Sequence, residues 1–236
     1  FSLPDKIFFN IRPNNKELIK NAIQLKFNKN VLITSNNTAA SKKISKLGLL
    51  NANQVINNKL NQVEKYSFGI NDLAQRLGLS SSKFSVEGYD ISHQSGKFAV
   101  AALVKFLAAG PQKSDYKLFN IPTELAGNDI GSIKHVLERR INRIKEDPLP
   151  KVILIDGGIL QLNAAIEIFN IHNIKSTTIL SIAKGSKRVR ATETIFSKAG
   201  IVEMPKDCAA FNFIQQVRDE SHRFAIRSNR NKNVLF

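Results

Sequence analysis

The run KVILIDGG, residues 151–158, most constrains what this chain can fold into. Four aliphatic residues in succession end in Asp156 and a Gly-Gly pair. A strand with one wet face alternates apolar and polar residues. An unbroken run suits a strand buried on both faces, which belongs to a sheet with helices on each side. The strand feeds a helical pattern, LQLNAAIEIF, then a strand, TTILSIAKG, and finally a long helix over about 207–228. Upstream, FSVEGYDISH, KFAVAALVKFL and DYKLFNI are strand-like runs separated by Gly96 and then by Gly110 and Pro111, the spacing of an antiparallel meander. Between meander and central strand, a helix starts at Asn128 or Asp129 with Ile130, Ile133, Leu137, Ile141 and Ile144 expected inward. This order outlines an α/β fold, a mixed sheet with flanking helices, and matches the ribonuclease H-like architecture.

The first part of the chain differs. KIFFNI and NVLITS read as strands, and NKELIKNAIQLKF as a helix with Leu18, Ala22 and Leu25 on its stripe. AASKKISKLGLLNANQVINNKL reads as a second helix interrupted at Gly48. We therefore expect a small α/β region over 1–65, a connector over 66–84 made of a short helix and a Ser-rich stretch, and the main domain over 85–236.

Charge narrows the partner. The chain holds 35 basic and 19 acidic residues, a net +16, and a surplus of that size implies an anionic partner, most commonly nucleic acid. One cysteine, Cys208, excludes an internal disulfide framework and a cysteine-held zinc, and suits a reducing cytoplasm. The longest apolar run, FAVAALV, is too short to span a membrane, so no membrane partner is expected. A start at Phe1, without a methionine or a signal-like segment, reads as a piece of something longer.

Asp90 and Asp156 both stand where an apolar strand runs out. Two carboxylates on adjacent strand ends repel unless a cation lies between them. Oxygen ligands point to a hard ion, Mg²⁺ or Mn²⁺. The plainer reading makes each a turn or helix cap, and Asp156 before Gly-Gly would serve well as an Asx-turn. Asp129, at a helix start, is explained by capping alone. His222, in IQQVRDESHRFAIR, lies at the edge of the stripe Ile214, Val217, Ser221 and Phe224, four residues after Arg218, and is a candidate acid, base or metal ligand. Lys184, Lys187 and Arg188, just past a strand end, together with Arg218 and Arg223, are candidates for the phosphate backbone. Ser92 and His93 do not form a nucleophile pair, because neighbours on a strand point to opposite faces. Ser92 shares the face of Asp90 instead.

The blocks GYDISHQSGKFAVAALVKF, GPQKSDYKLFNI, GNDIGSIKHVLERR, VILIDGGILQLNAA, LSIAKG and IQQVRDESHRFAI, in this order and spacing, resemble the UvrC family of bacterial nucleotide-excision-repair nucleases. The likeness is weak over 1–65 and strong over 85–228. It implies the C-terminal endonuclease half of the family, a ribonuclease H-like domain that cuts damaged double-stranded DNA 5′ to a lesion, in the UvrABC system, with a divalent ion. Carried over by motif, the catalytic residues are Asp90, Asp129, Asp156 and His222, with Asp90 and Asp156 on the metal. The likeness also implies UvrB as a partner, through a segment outside this chain. Ile159 and Leu160 replace a family Lys-Gly. The rival readings are a non-catalytic DNA- or protein-docking module and a junction-resolving nuclease of the same fold.

Overall fold

The computed structural model describes residues 3–9, 11, 13–35, 38–80, 83–94, 98–183 and 193–232, with side chains for all of these but 93, 94, 98 and 228–232. The chain divides into two compact units, Phe1–Asn61 and Gln62–Phe236.

In the first unit, β1 (Lys6–Phe9) and β2 (Leu32–Ser35) pair in parallel, joined by α1 (Lys16–Phe27). The expected α1 stripe is corrected: Leu18, Ala22 and Leu25 are exposed, while Ile19 and Ile23, one turn apart, are half-buried. Two apolar stripes compete on this helix, and the β-branched pair faces in. Helix α2 (Ala39–Arg76) corrects the break at Gly48 and takes in the helical first half of the 66–84 stretch, which it joins to the preceding helix. Thr38 and Ser41 cap its start reciprocally, each backbone N–H meeting the other's hydroxyl at 3.1 Å. A single helical glycine costs only about 1 kcal/mol, too little to break a helix of 38 residues.

The second unit is built on one sheet. Its strands are β3 (Val86–Gln94), β4 (Phe98–Leu107), β5 (Gly110–Pro111) and β6 (Lys117–Ile121). After α3 (Asp129–Ile141) come β7 (Val152–Asp156), α4 (Ile159–Ile171) and β8 (Thr178–Ala183). Two short strands, β9 (Thr194–Ser197) and β10 (Gly200–Ile201), precede α5 (Ala209–Lys232). The order across the sheet is β10-β9-β8-β7-β3-β4-β5, with β6 also on β4. β3, β4 and β6 form the antiparallel meander, and β3, β7 and β8 run parallel. Gly110 and Pro111, expected only as a turn, also close a two-residue ladder on β4, whereas Gly96 lies outside the described residues. The β9–β10 hairpin is absent from the sequence expectation, which passed from β8 directly to the last helix.

The unbroken apolar run of β7, and that of β8 interrupted by buried Ser181, fit burial of both strands from both sides. On one face Tyr89, Ile153 and Ile155 pack against α3 and α4 through Ile133, Leu137, Leu162 and Ile168. On the other, Val86, Val104, Leu154 and Leu180 pack against α5 through Phe213, Ile214 and Val217, and against Ile70 and Leu73 of α2. Of the α3 residues expected inward, Ile130 is exposed, and so is Ile144 just beyond the helix; the buried stripe runs through Ile133, Val136, Leu137, Arg140 and Ile141. Arg140 goes in because Glu87 of β3 meets it, Nη2 to Oε1 at 2.8 Å, and Tyr89 donates to the same carboxylate at 2.8 Å.

Candidate metal-dependent nuclease site

Register brings the two central acids together. Tyr89 of β3 stands opposite Ile155 of β7, so Asp90 and Asp156, one residue further along each parallel strand, arrive at the same level on the same face. That face is the one α5 covers. At Gly88 the helix comes close: a Cβ there would stand 2.6 Å from Val217 Cγ1. Five residues further along α5, His222 places Nδ1 3.4 Å from Asp90 Oδ1. One ligand atom from each of Asp90, Asp156 and His222 lies within 4.8 Å of the others. Asp90 is buried, Asp156 half-buried, and the His222 side chain 55% exposed, so the group opens to solvent on the histidine side.

Both plainer readings of the acids lose ground here. The start of α4 is served by Gln161, whose side-chain oxygen accepts from Gly158 N–H at 3.0 Å. The start of α3 is served by Asn128, which accepts from Gly131 N–H at 2.9 Å. Neither Asp156 nor Asp129 is needed as the cap. Asp129 is the exposed first residue of α3 and stands outside the group that Asp90, Asp156 and His222 form.

The acid pair is electrostatically unfinished. Asp90 Oδ2 is buried and meets no hydrogen-bond partner among the described residues. Burial and the neighbouring Asp90 carboxylate push Asp156 up to about 6, against a smaller opposing pull from Arg218 and His222. Two carboxylates that resist joint ionisation, one with an unsatisfied buried oxygen, beside an imidazole, are donors that fit a hard divalent cation.

The cationic residues behave differently. Arg218 is held by Glu193 and by Asp219, and Arg223 by Glu220 at 2.6 Å, itself bonded to the Tyr116 hydroxyl at 3.1 Å. Lys184, Lys187 and Arg188, with the His93 side chain, lie outside the described residues. Ile159 and Leu160, exposed, open α4 three residues beyond Asp156. Two further contributors went unread in the sequence. Gly88, a lone glycine in a strand pattern, is a sign of close backbone approach; Glu193 carried no local signal.

A mixed sheet with two acids on adjacent parallel strand ends and a helix-borne histidine defines a ribonuclease H-like nuclease fold. Residues 74–226 match the UvrC RNAse H endonuclease domain family, and the chain belongs to that family. It is 34% identical to the UvrABC system protein C of Coxiella burnetii (strain CbuK_Q154) over 98% of its own length and 39% of that protein. With the same protein of Pseudomonas putida (strain W619) it shares 36% identity, over 97% of this chain and 38% of the relative. The chain thus spans about two fifths of the curated relatives it matches. Among solved structures, the catalytic domain of human Endonuclease V superposes with a TM-score of 0.40 at 12% identity, covering 66% of this chain and 86% of that one.

Proposed function

We propose that the chain is the endonuclease part of a nucleotide-excision-repair nuclease, cutting damaged double-stranded DNA 5′ to a lesion with Mg²⁺ or Mn²⁺. The observation that carries this reading is the convergence of Asp90, Asp156 and His222 within 4.8 Å around a buried, unsatisfied carboxylate oxygen. Asp90 and Asp156 would hold the ion, which supplies charge neutralisation between them and Lewis acidity toward a phosphate oxygen. With Nδ1 turned to Asp90, His222 keeps its second nitrogen for proton exchange on the open side of the site. Asp129 is assigned to the catalytic set by its motif, with a role from the rim. Lys184, Lys187, Arg188, Arg218 and Arg223 are assigned to the DNA backbone. The relatives are proteins of the UvrABC system, which supports UvrB as a partner; the cytoplasm is assigned as the setting, and no helix among the described residues is long and apolar enough to cross a membrane.

The test is nicking of supercoiled DNA by the chain and by its full-length parent in Mg²⁺ or Mn²⁺. Asp90→Ala and His222→Ala are each expected to lower the rate by at least about 100-fold. Undiminished nicking in both variants would overturn the assignment, and a fold that binds DNA without any nicking would favour the docking-module rival.

A further inference from the structure

Glu193, directly before β9, reaches the same face of the sheet as the acid pair and grips Arg218 of α5. Both side chains of this ion pair are only 12% exposed. Glu193 is fixed from its other oxygen as well, since Gln215 donates to Oε2 at 2.7 Å. Arg218 Nε in turn donates to Asp219 Oδ1 at 3.0 Å. An exposed ion pair holds neither partner in place and contributes little. Here two carboxylates, Glu193 braced by Gln215 and Asp219, hold one guanidinium a single helical turn before His222. A guanidinium has five N–H groups. Glu193 takes one on Nη1, and Asp219 takes the Nε–H and one on Nη2, so two meet no acceptor among the described residues. One turn further along α5, His222 Nδ1 stands 3.4 Å from Asp90 Oδ1, so Arg218 is carried by the stretch of helix that borders the acid pair.

We propose that Glu193, braced by Gln215, is a positioning residue for Arg218, holding its guanidinium beside Asp90 and Asp156 so that the two open N–H groups meet a phosphate oxygen of the strand being cut. The inference rests on the nuclease reading above. It differs from a simple charge effect in sign: removing an acid next to DNA ordinarily tightens binding by easing repulsion of the backbone, whereas removing this one should slow the reaction. It differs from a latch that withholds Arg218, because releasing a latch would speed it.

Two readouts separate the inference from the reading beneath it. The first, on metal-free protein, is the Arg218 Nε–Hε resonance in ¹⁵N NMR, assigned by its loss in Arg218→Lys. In the unaltered chain it should be sharp and should shift when a short DNA duplex is added. In Glu193→Gln it should broaden and stop responding. The second is the single-turnover nicking rate in Mn²⁺, with duplex affinity measured alongside. Glu193→Gln should lose roughly 10- to 100-fold in rate with affinity unchanged or slightly tighter, and Glu193→Asp should recover part of it. Gln215→Ala, which keeps the ion pair, should show a smaller loss in the same direction. In an Arg218→Ala background, Glu193→Gln should cost nothing more. A resonance that stays sharp and DNA-responsive in Glu193→Gln would overturn the proposal, as would an equal loss in both backgrounds or a faster rate. If the unaltered chain does not nick at all, the nuclease reading fails, while the resonance still decides whether Glu193 positions Arg218 toward DNA.

Discussion

At Asp156 an ionised carboxylate must form next to a second one in a half-buried corner of the sheet. An aspartate ordinarily ionises near 3.8, and here the folded, metal-free protein holds the proton up to about 6. Folding therefore favours the protonated form: the site costs nothing below about pH 4 and destabilises the fold increasingly as pH rises through 6. Asp156→Asn, which removes the repulsion, should stabilise metal-free protein at pH 7.5 by about 1–2 kcal/mol, about two pKa units' worth reduced for partial exposure. The gain should vanish at pH 4, and urea unfolding at the two pH values checks it. Added Mn²⁺ should stabilise the unaltered protein and leave Asp156→Asn unmoved. The acids were legible in the sequence because a charge at the end of a buried run is costly and stands out. What was not legible was their release from capping. That depended on Asn128 and Gln161 taking the cap positions, and amides and acids compete for those positions on nearly equal terms.

Among the elements, α5 decides whether the site exists, because it alone brings the histidine. Its approach to β3 requires the bare backbone at Gly88, where a Cβ would meet Val217 Cγ1 at 2.6 Å and Val104 Cγ2 at 3.1 Å. Gly88→Ala should cost about 1–3 kcal/mol by overpacking and slow nicking further by moving His222 away from Asp90. Val217→Ala in the same chain should restore part of both, read by unfolding and rate together. A similar lock ties α3 to β3, where the Arg140 and Glu87 side chains are each 1% exposed. Arg140→Met should cost about 3–5 kcal/mol by leaving Glu87 buried without its partner, and circular dichroism during urea unfolding would show it. The inward stripe of α3 was read correctly at Ile133, Leu137 and Ile141, and Arg140 was missed for this reason. Periodicity sorts residues by polarity, and only the tertiary partner on β3 makes an arginine an interior residue. By contrast α5 was placed well, since Ile214, Val217 and Ser221 form an uninterrupted stripe that nothing outside the helix overrides.

For the whole molecule, the boundary between units differs from the sequence expectation. Pattern breaks at the Ser-rich stretch suggested a domain beginning at 85, yet Ile70 and Leu73, near the end of α2, are fully buried in the second unit's core. A fragment of residues 62–236 should fold cooperatively. One of residues 85–236 should be less stable by at least about 4 kcal/mol, two buried aliphatic side chains at roughly 2–5 each; equal unfolding midpoints would refute this. The sheet itself was readable, because a strand buried on both faces, a meander and a closing helix admit few arrangements. The β9–β10 hairpin was not, as six strand residues next to a charged stretch carry little periodicity. At this scale the proposed function requires that the fold bring Asp90 and Asp156 to one cation with His222 beside them. Its most direct test is Mn²⁺ uptake followed by the loss of the free-ion EPR signal. The unaltered chain should take up Mn²⁺ at pH 7.5 and much less at pH 5, where Asp156 keeps its proton, and Asp90→Asn should take up little at either pH. Equal uptake by Asp90→Asn and the unaltered chain at pH 7.5 would contradict the account.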